Sequence, residues 1–138
     1  MAQLVPYLAF EGNCREAMTF YADCLGGKLT IQTFGEAPMA AGMPKEAQQN
    51  VMHSSLEKDG FMLMGADMME PATSVHNNTV SLCLVCSSKD ETETLFSKLS
   101  AGGNVTHPLK EEFFGTFGDF TDKYGFSWMV QYSPTPTP

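Results

Sequence analysis

Basic residues are scarce: 8 Lys and Arg stand against 16 Asp and Glu, for a net charge of −8. Nucleic-acid phosphates require a clustered basic surface, so a nucleic-acid partner is excluded, and an anionic membrane surface with it. No apolar run approaches the ~18 residues of a membrane span. The first residues, MAQLVPYLAFEGNCRE, lack the basic start and small-residue cleavage site of a signal peptide. The expected compartment is the cytoplasm, where Cys14, Cys24, Cys83 and Cys86 are free thiols. Cys83 and Cys86 are spaced C-x-x-C, but they lie in a strand pattern and no second pair exists, which argues against zinc or redox use. No G-x-G-x-x-G follows any strand, so the usual seat of a nucleotide or methyl donor is missing.

What is present is a repeat. Phe20 to Thr30 reads FYADCLGGKLT and Phe96 to Thr106 reads FSKLSAGGNVT; Gly26 recurs as Gly102, 76 residues on. Gly60-Phe61-Met62-Leu63-Met64 is answered by Gly125-Phe126-Ser127-Trp128-Met129, 65 residues on. Two copies of one supersecondary unit share the chain, and two half-units with apolar sheet faces close on each other around a cavity.

In the first copy, Leu4 to Phe10 reads as a strand, and Asn13 with Glu16 has the spacing of a capping box. Cys14, Ala17, Met18, Tyr21, Cys24 and Leu25 form the buried stripe of a helix that Gly26-Gly27 ends. Lys28 to Phe34 alternates as a strand, a loop runs from Gly35 to Gln49, and Val51 to Leu56 with Phe61 to Ala66 makes a hairpin across Asp59-Gly60. The second copy repeats the order: strand Thr79 to Cys86, a helix capped by Ser88 and Glu91 with stripe Thr92, Leu95, Phe96 and Leu99, then strands at Asn104 to His107, Gly115 to Phe120 and Phe126 to Tyr132. The module bounds are about 1–67 and 79–133 within one domain, 1–133, followed by a Pro/Thr-rich tail at 134–138.

Pro6 to Tyr21 (PYLAFEGNCREAMTFY), Val51-Met52-His53, Phe113 to Gly118 (FFGTFG) and Phe120 to Val130 (FTDKYGFSWMV) together resemble the PhnB-like branch of the vicinal oxygen chelate superfamily, which includes glyoxalase I and bleomycin-resistance proteins. The resemblance covers nearly the whole chain. It implies an α+β fold of two βαβββ modules forming an incomplete mixed-sheet barrel, and a homodimer. It also brings a label, 3-demethylubiquinone methyltransferase, that the missing glycine motif does not support.

Metal-using members of the superfamily carry His, Glu or Gln on the first and last strands of each module. Counted from the motifs, those positions fall at Pro6, Met64, Ser81 and Met129. Proline has no donor and a thioether suits Ni, Zn, Mn or Fe(II) poorly, so no metal and no other cofactor is expected. Alternation then puts Pro6, Leu8 and Phe10 on one face with Met62, Met64, Ser81, Cys83, Ser127, Met129 and Gln131, an apolar, sulfur-rich lining for an apolar or aromatic small molecule. Phe114, where the family's pattern carries Trp, sits in a segment from Pro108 to Asp119 expected to cross the cavity mouth.

The expected function is small-molecule binding without a metal centre. The alternative is a lyase or isomerase, metal-free or with a relocated metal site, using His53 with Asp67 or Glu112 as an acid–base pair. A third reading is a structural or regulatory dimer with a filled cavity. His76 and His107 read as solvated loop residues.

Overall fold

The computed structural model describes residues 2–68, 80–112 and 115–134. The expectations placed on Phe113, Phe114 and His76 fall outside them, as do the tail beyond Pro134 and most of the link between modules. The chain divides into two compact units, residues 1–74 and 75–138.

The first unit contains β1 (Tyr7–Phe10), α1 (Cys14–Leu25), β2 (Lys28–Thr33), α2 (Lys45–Gln48), β3 (Val51–Lys58) and β4 (Phe61–Asp67). Its sheet has the order β1-β4-β3-β2, with β1 parallel to β4 and the other pairs antiparallel. The second unit contains β5 (Leu82–Cys86), α3 (Lys89–Ser100), β6 (Asn104–Glu112), β7 (Gly115–Thr121) and β8 (Ser127–Tyr132). Its order, β5-β8-β7-β6, repeats the first with the same parallel pair. Two four-stranded mixed sheets with few helices make this an α+β fold, as expected.

Each helix lies on one face of its sheet. Cys14, Ala17, Met18 and Tyr21 of α1 are fully buried against Leu8, Phe10, Leu56 and Leu63. A Cβ built on Gly65 would stand 3.0 Å from the Phe10 ring and 3.3 Å from the Met18 sulfur, which shows how closely α1 approaches the sheet. In the second unit Thr92, Phe96 and Leu99 of α3 pack on Phe120, Trp128 and Val130, with Phe96 edge-on to Phe120 at 5.1 Å. α1 ends where Gly27 takes φ 102°, and a Cβ there would meet the Glu57 carbonyl at 2.6 Å, so only glycine fits. Lys58 Nζ donates to the freed Leu25 carbonyl at 2.8 Å.

Several boundaries differ from expectation for physical reasons. β1 starts at Tyr7, opposite Met64 of its parallel neighbour β4; Pro6 before it has no N–H to give the ladder and only accepts, from Met64 N at 3.0 Å. The stretch expected as a loop from Gly35 to Gln49 is built of short helices, with 3₁₀ turns at Phe34–Glu36 and Pro38–Gly42 before α2. The Gln48 side chain ties it together by donating to the Ala40 and Met43 carbonyls at 2.8 and 3.0 Å. The segment expected to cross a cavity mouth is strand where it is described: β6 runs on to Glu112 and pairs with β7. β6 is an edge strand whose register shifts on both sides of His107, and such an irregular edge is where a strand accepts proline, here Pro108. No helix among the described residues is long and apolar enough to cross a membrane.

Candidate functional site

The face of each sheet turned away from its helix is the candidate site. In the first unit, register fixes its members. Tyr7 pairs with Met64 and Ala9 with Ala66, while Ser55 pairs with Met64 from the other side. Met62, Met64, His53 and Tyr7 therefore share the open face. Leu8 and Phe10 do not. They alternate with Tyr7 and are 7% and 3% exposed beneath α1, so the sequence-based face was out by one residue on β1. The position facing Met64 is Tyr7, not Pro6.

The open face of this unit is also more polar than expected. The Tyr7 hydroxyl and His53 Nδ1 are hydrogen-bonded at 3.2 Å, reaching across β4 with their rings 5.9 Å apart. Tyr7 stays 55% exposed, so this pair is accessible to a ligand.

Asp67 does not form the expected acid–base pair with His53. It lies on the helix side, 4% exposed, where one carboxylate oxygen accepts from Gly12 N at 2.8 Å and Cys14 N at 3.0 Å. Its second oxygen accepts from Val51 N at 2.8 Å. A carboxylate holding three backbone N–H groups serves the fold, starting α1 and tying it to β3 and β4. Glu112, the other acid considered for His53, is in the second unit and pairs with Lys110 at 3.4 Å. Beside Asp67 lies an open polar cleft of about 890 Å³, lined among others by Arg15, Glu16, Lys45 and Glu46. With the Asp67 carboxylate already at the helix start, that end of the cleft has no place for an anion.

In the second unit the expected face stands. Cys83 pairs with Met129 and Val85 with Gln131, and the Ser81 and Ser127 hydroxyls are hydrogen-bonded at 2.7 Å. Ser81, Cys83, Met129 and Gln131 alternate with residues buried under α3, such as Trp128 and Val130. Cys86, three residues from Cys83, turns to the helix side and is buried while Cys83 is exposed, so the C-x-x-C pair is split between two faces. β7 adds Phe117 opposite Gln131 and Asp119 opposite Met129.

Sequence reasoning missed one functional candidate here. His107, expected in a loop, lies on β6 directly opposite Asp119, and its Nδ1 is 2.9 Å from Asp119 Oδ1. The alternation of Gly115 to Phe120 already put Asp119 on the Phe117 face; the missing signal was that β6 continues through Pro108.

The metal ligands implied by the superfamily can be tested against these rows. First-strand and last-strand positions hold Tyr7 with Met64 and Cys83 with Met129. The first unit's row offers a phenol and a thioether and the second unit's a thiol and a thioether; neither row carries the His, Glu or Gln of the superfamily pattern, and a thioether suits Ni, Zn, Mn or Fe(II) poorly, so these rows do not fit that ligand pattern. No group of three or more His, Cys, Asp or Glu side chains able to hold a metal ion occurs among the described residues.

Comparison with known proteins places the chain. Residues 2–131 match the family described as 3-demethylubiquinone-9 3-methyltransferase. Protein YjdN of Escherichia coli K12 is 30% identical over 92% of each chain. The crystal structure of protein PA1353 from Pseudomonas aeruginosa is 38% identical, with a TM-score of 0.85 over 96% of this chain and 98% of that one. The PhnB protein from Bacillus cereus is 26% identical, with a TM-score of 0.78 over 96% and 100% of the two chains. A glyoxylase/bleomycin resistance protein/dioxygenase domain from Frankia shares the fold at 14% identity, with a TM-score of 0.69 over 99% and 96%. Built of two βαβββ units, the chain belongs to the 3-demethylubiquinone-9 3-methyltransferase-like, or PhnB-like, family, and it shares the fold of glyoxalase/bleomycin resistance/dioxygenase proteins.

Proposed function

We propose that the protein binds an apolar or aromatic small molecule on its open sheet faces, and that binding does not use a divalent-metal centre. The observation that carries this reading is the pair of rows Tyr7–Met64 and Cys83–Met129. Where the superfamily's pattern calls for hard or borderline metal donors, this chain presents an aromatic ring and polarisable sulfur, which adapt to varied apolar shapes. Polar groups on each face, Tyr7 with His53 in the first unit and Gln131 in the second, would orient a ligand bound there. The methyltransferase description of the family finds little support in either unit: each sheet has one parallel pair, not the repeated parallel βαβ frame in which a Gly-rich turn cradles a nucleotide-like donor. Val80 and Val85, 76% and 72% exposed at the β5 edge of the second sheet, support a homodimer in which a second copy covers that edge.

A thermal-shift titration separates the alternatives. A native-state ligand at about 100 times its Kd stabilises by roughly 2.7 kcal/mol. Monocyclic and bicyclic aromatic compounds are expected to raise the melting temperature, and Ni, Co, Zn, Mn and Fe(II) salts are not. A saturable metal-induced shift with stoichiometric retained metal would sink the metal-free reading.

The Tyr7–His53 hydrogen bond favours a second reading, an enzyme in which His53 moves a proton, its ring oriented by Tyr7 in place of the expected carboxylate. Turnover of a bound compound that disappears in His53→Ala, while the compound's affinity persists, would establish it.

A further inference from the structure

We infer that the His107–Asp119 pair is a recognition site for an aromatic ligand bearing a hydroxyl group, a phenol. The inference rests on the small-molecule-binding reading and adds the ligand's class. An ionised carboxylate can only accept, so the 2.9 Å contact requires Nδ1–H of His107 to donate to Asp119 Oδ1. In the neutral ring that tautomer leaves the Nε2 lone pair as an acceptor. The His107 side chain is 69% exposed while Asp119 is 24% exposed, so the carboxylate is the seated partner and the imidazole the presented one.

The surroundings specify the rest of the ligand. Asp119 is opposite Met129 on β8, and Phe117, on the same face of β7, is opposite Gln131. Two strand spacings, about 10 Å, separate the β6 and β8 backbones. A single substituted benzene ring spans that gap, lying on the Met129 thioether and Phe117 ring with its hydroxyl at His107 Nε2. The charges near the site disfavour a permanent anion. Asp119 faces His107 from β7, and Lys110 on β6 is already paired with Glu112 at 3.4 Å. Behind the sheet, Lys89 of α3 is paired with Glu111 at 3.0 Å. A neutral phenol enters without repulsion. Its O–H donates to Nε2 while Nδ1–H of the same ring stays on Asp119. His107 is the group that touches the ligand; Asp119 is a positioning residue.

The test compares two probes, 4-nitrophenol and nitrobenzene, which differ only in the hydroxyl. Equilibrium binding to the full chain is measured for both. The expected result is that 4-nitrophenol binds about tenfold more tightly, one hydrogen bond to a charge-assisted partner. That preference is expected to vanish in His107→Ala and to weaken in Asp119→Asn. Nitrogen chemical shifts of His107 in the free protein give an independent reading: the Nδ1–H tautomer is expected in the wild type and a mixture in Asp119→Asn. Equal affinity for the two probes, or a preference that survives in His107→Ala, overturns the assignment while leaving apolar binding intact. Failure of both probes to bind overturns both.

Discussion

Two helices of 12 residues each begin by unlike means in the two units, although the units share one topology. α3 is started by its own neighbour: the Ser88 hydroxyl accepts from Glu91 N at 3.1 Å, and Glu91 Oε1 accepts in return from Ser87 N at 2.8 Å. α1 is started by a carboxylate from the far end of β4, Asp67, which reaches Cys14 N at 3.0 Å. A cap made within four residues holds as long as the helix does. A cap made across the unit holds only when the sheet has closed. α1 and its sheet are therefore coupled more tightly than α3 and its sheet. The open faces differ in parallel fashion: the first unit holds its histidine by a phenol, the second by a carboxylate.

Removing Asp67 is the most severe way to break this comparison. Asp67→Ala strands three backbone donors, two of them in buried settings. Hydrogen bonds to a charged group contribute about 1.5–3 kcal/mol each and are not additive, so a loss of about 3–5 kcal/mol is expected in chemical denaturation. The second unit has a related carboxylate, Asp122, which accepts from Tyr124 N, Phe126 N and Trp128 Nε1 at 2.8, 3.0 and 2.7 Å. It organises a turn and not a helix start. Hydrogen exchange should therefore show α1 amides losing protection in Asp67→Ala, with α3 amides unchanged in Asp122→Ala. Loss of α3 protection in the latter would contradict the distinction.

Cys14, at the start of α1, sharpens the contrast through pH. Burial pushes its thiol up to about 11, partly offset by the Ser54 hydroxyl 3.5 Å away. An unfolded thiol releases its proton near pH 9.0, so between that pH and about 11 the folded state binds more protons than the unfolded one. Stability is then fully present below pH 9 and falls as pH rises through that window, by up to about 3 kcal/mol. Burial raises Cys86 in the second unit as well. Cys14→Ala should flatten much of the alkaline loss seen by denaturation between pH 8 and 11. A slope unchanged by that substitution would show that the Cys14 thiolate is tolerated in the fold.

Local chemistry was legible in the sequence and long-range pairing was not. The repeat offsets survive as structure: Tyr7 and Cys83 stand in equivalent rows 76 residues apart, as do Met64 and Met129 at 65. The capping pattern at Ser88 and Glu91 was read correctly because every partner lies within a turn. The same pattern at Asn13 and Glu16 failed. Asn13 makes no side-chain cap, and its side chain accepts from Glu11 N at 3.3 Å, because a distant carboxylate occupies the helix start instead. Ser81, Cys83, Met129 and Gln131 were placed on the right face by alternation along β5 and β8. Leu8 and Phe10 were not, because the position of β1 was counted through the irregular turn at Glu11–Asn13, and a slip of one residue turns every side chain over. His107 was read as a solvated loop residue because the expected strand, Asn104 to His107, ended on it; an edge strand with a shifted register continues through Pro108.

The smallest effects give the cleanest comparison, because they pit two identical sequence patterns against each other. Ser88→Ala removes a real N-cap and should cost about 1 kcal/mol. Asn13→Ala removes a residue that has the right spacing but makes no cap bond, so a change within about 0.5 kcal/mol is expected, the range of a surface substitution. Both substitutions leave a methyl group at an exposed helix start, so propensity and burial terms largely cancel between them. Urea denaturation of the pair at one pH measures the difference directly. In an Asp67→Ala background the ranking should shift: with the distant carboxylate gone, Asn13 becomes the nearest acceptor for the first-turn N–H groups, and Asn13→Ala should then cost more than it does alone. Equal costs for the two substitutions in the parent chain would mean that α1 is started by its own cap after all, and that Asp67 serves only β3.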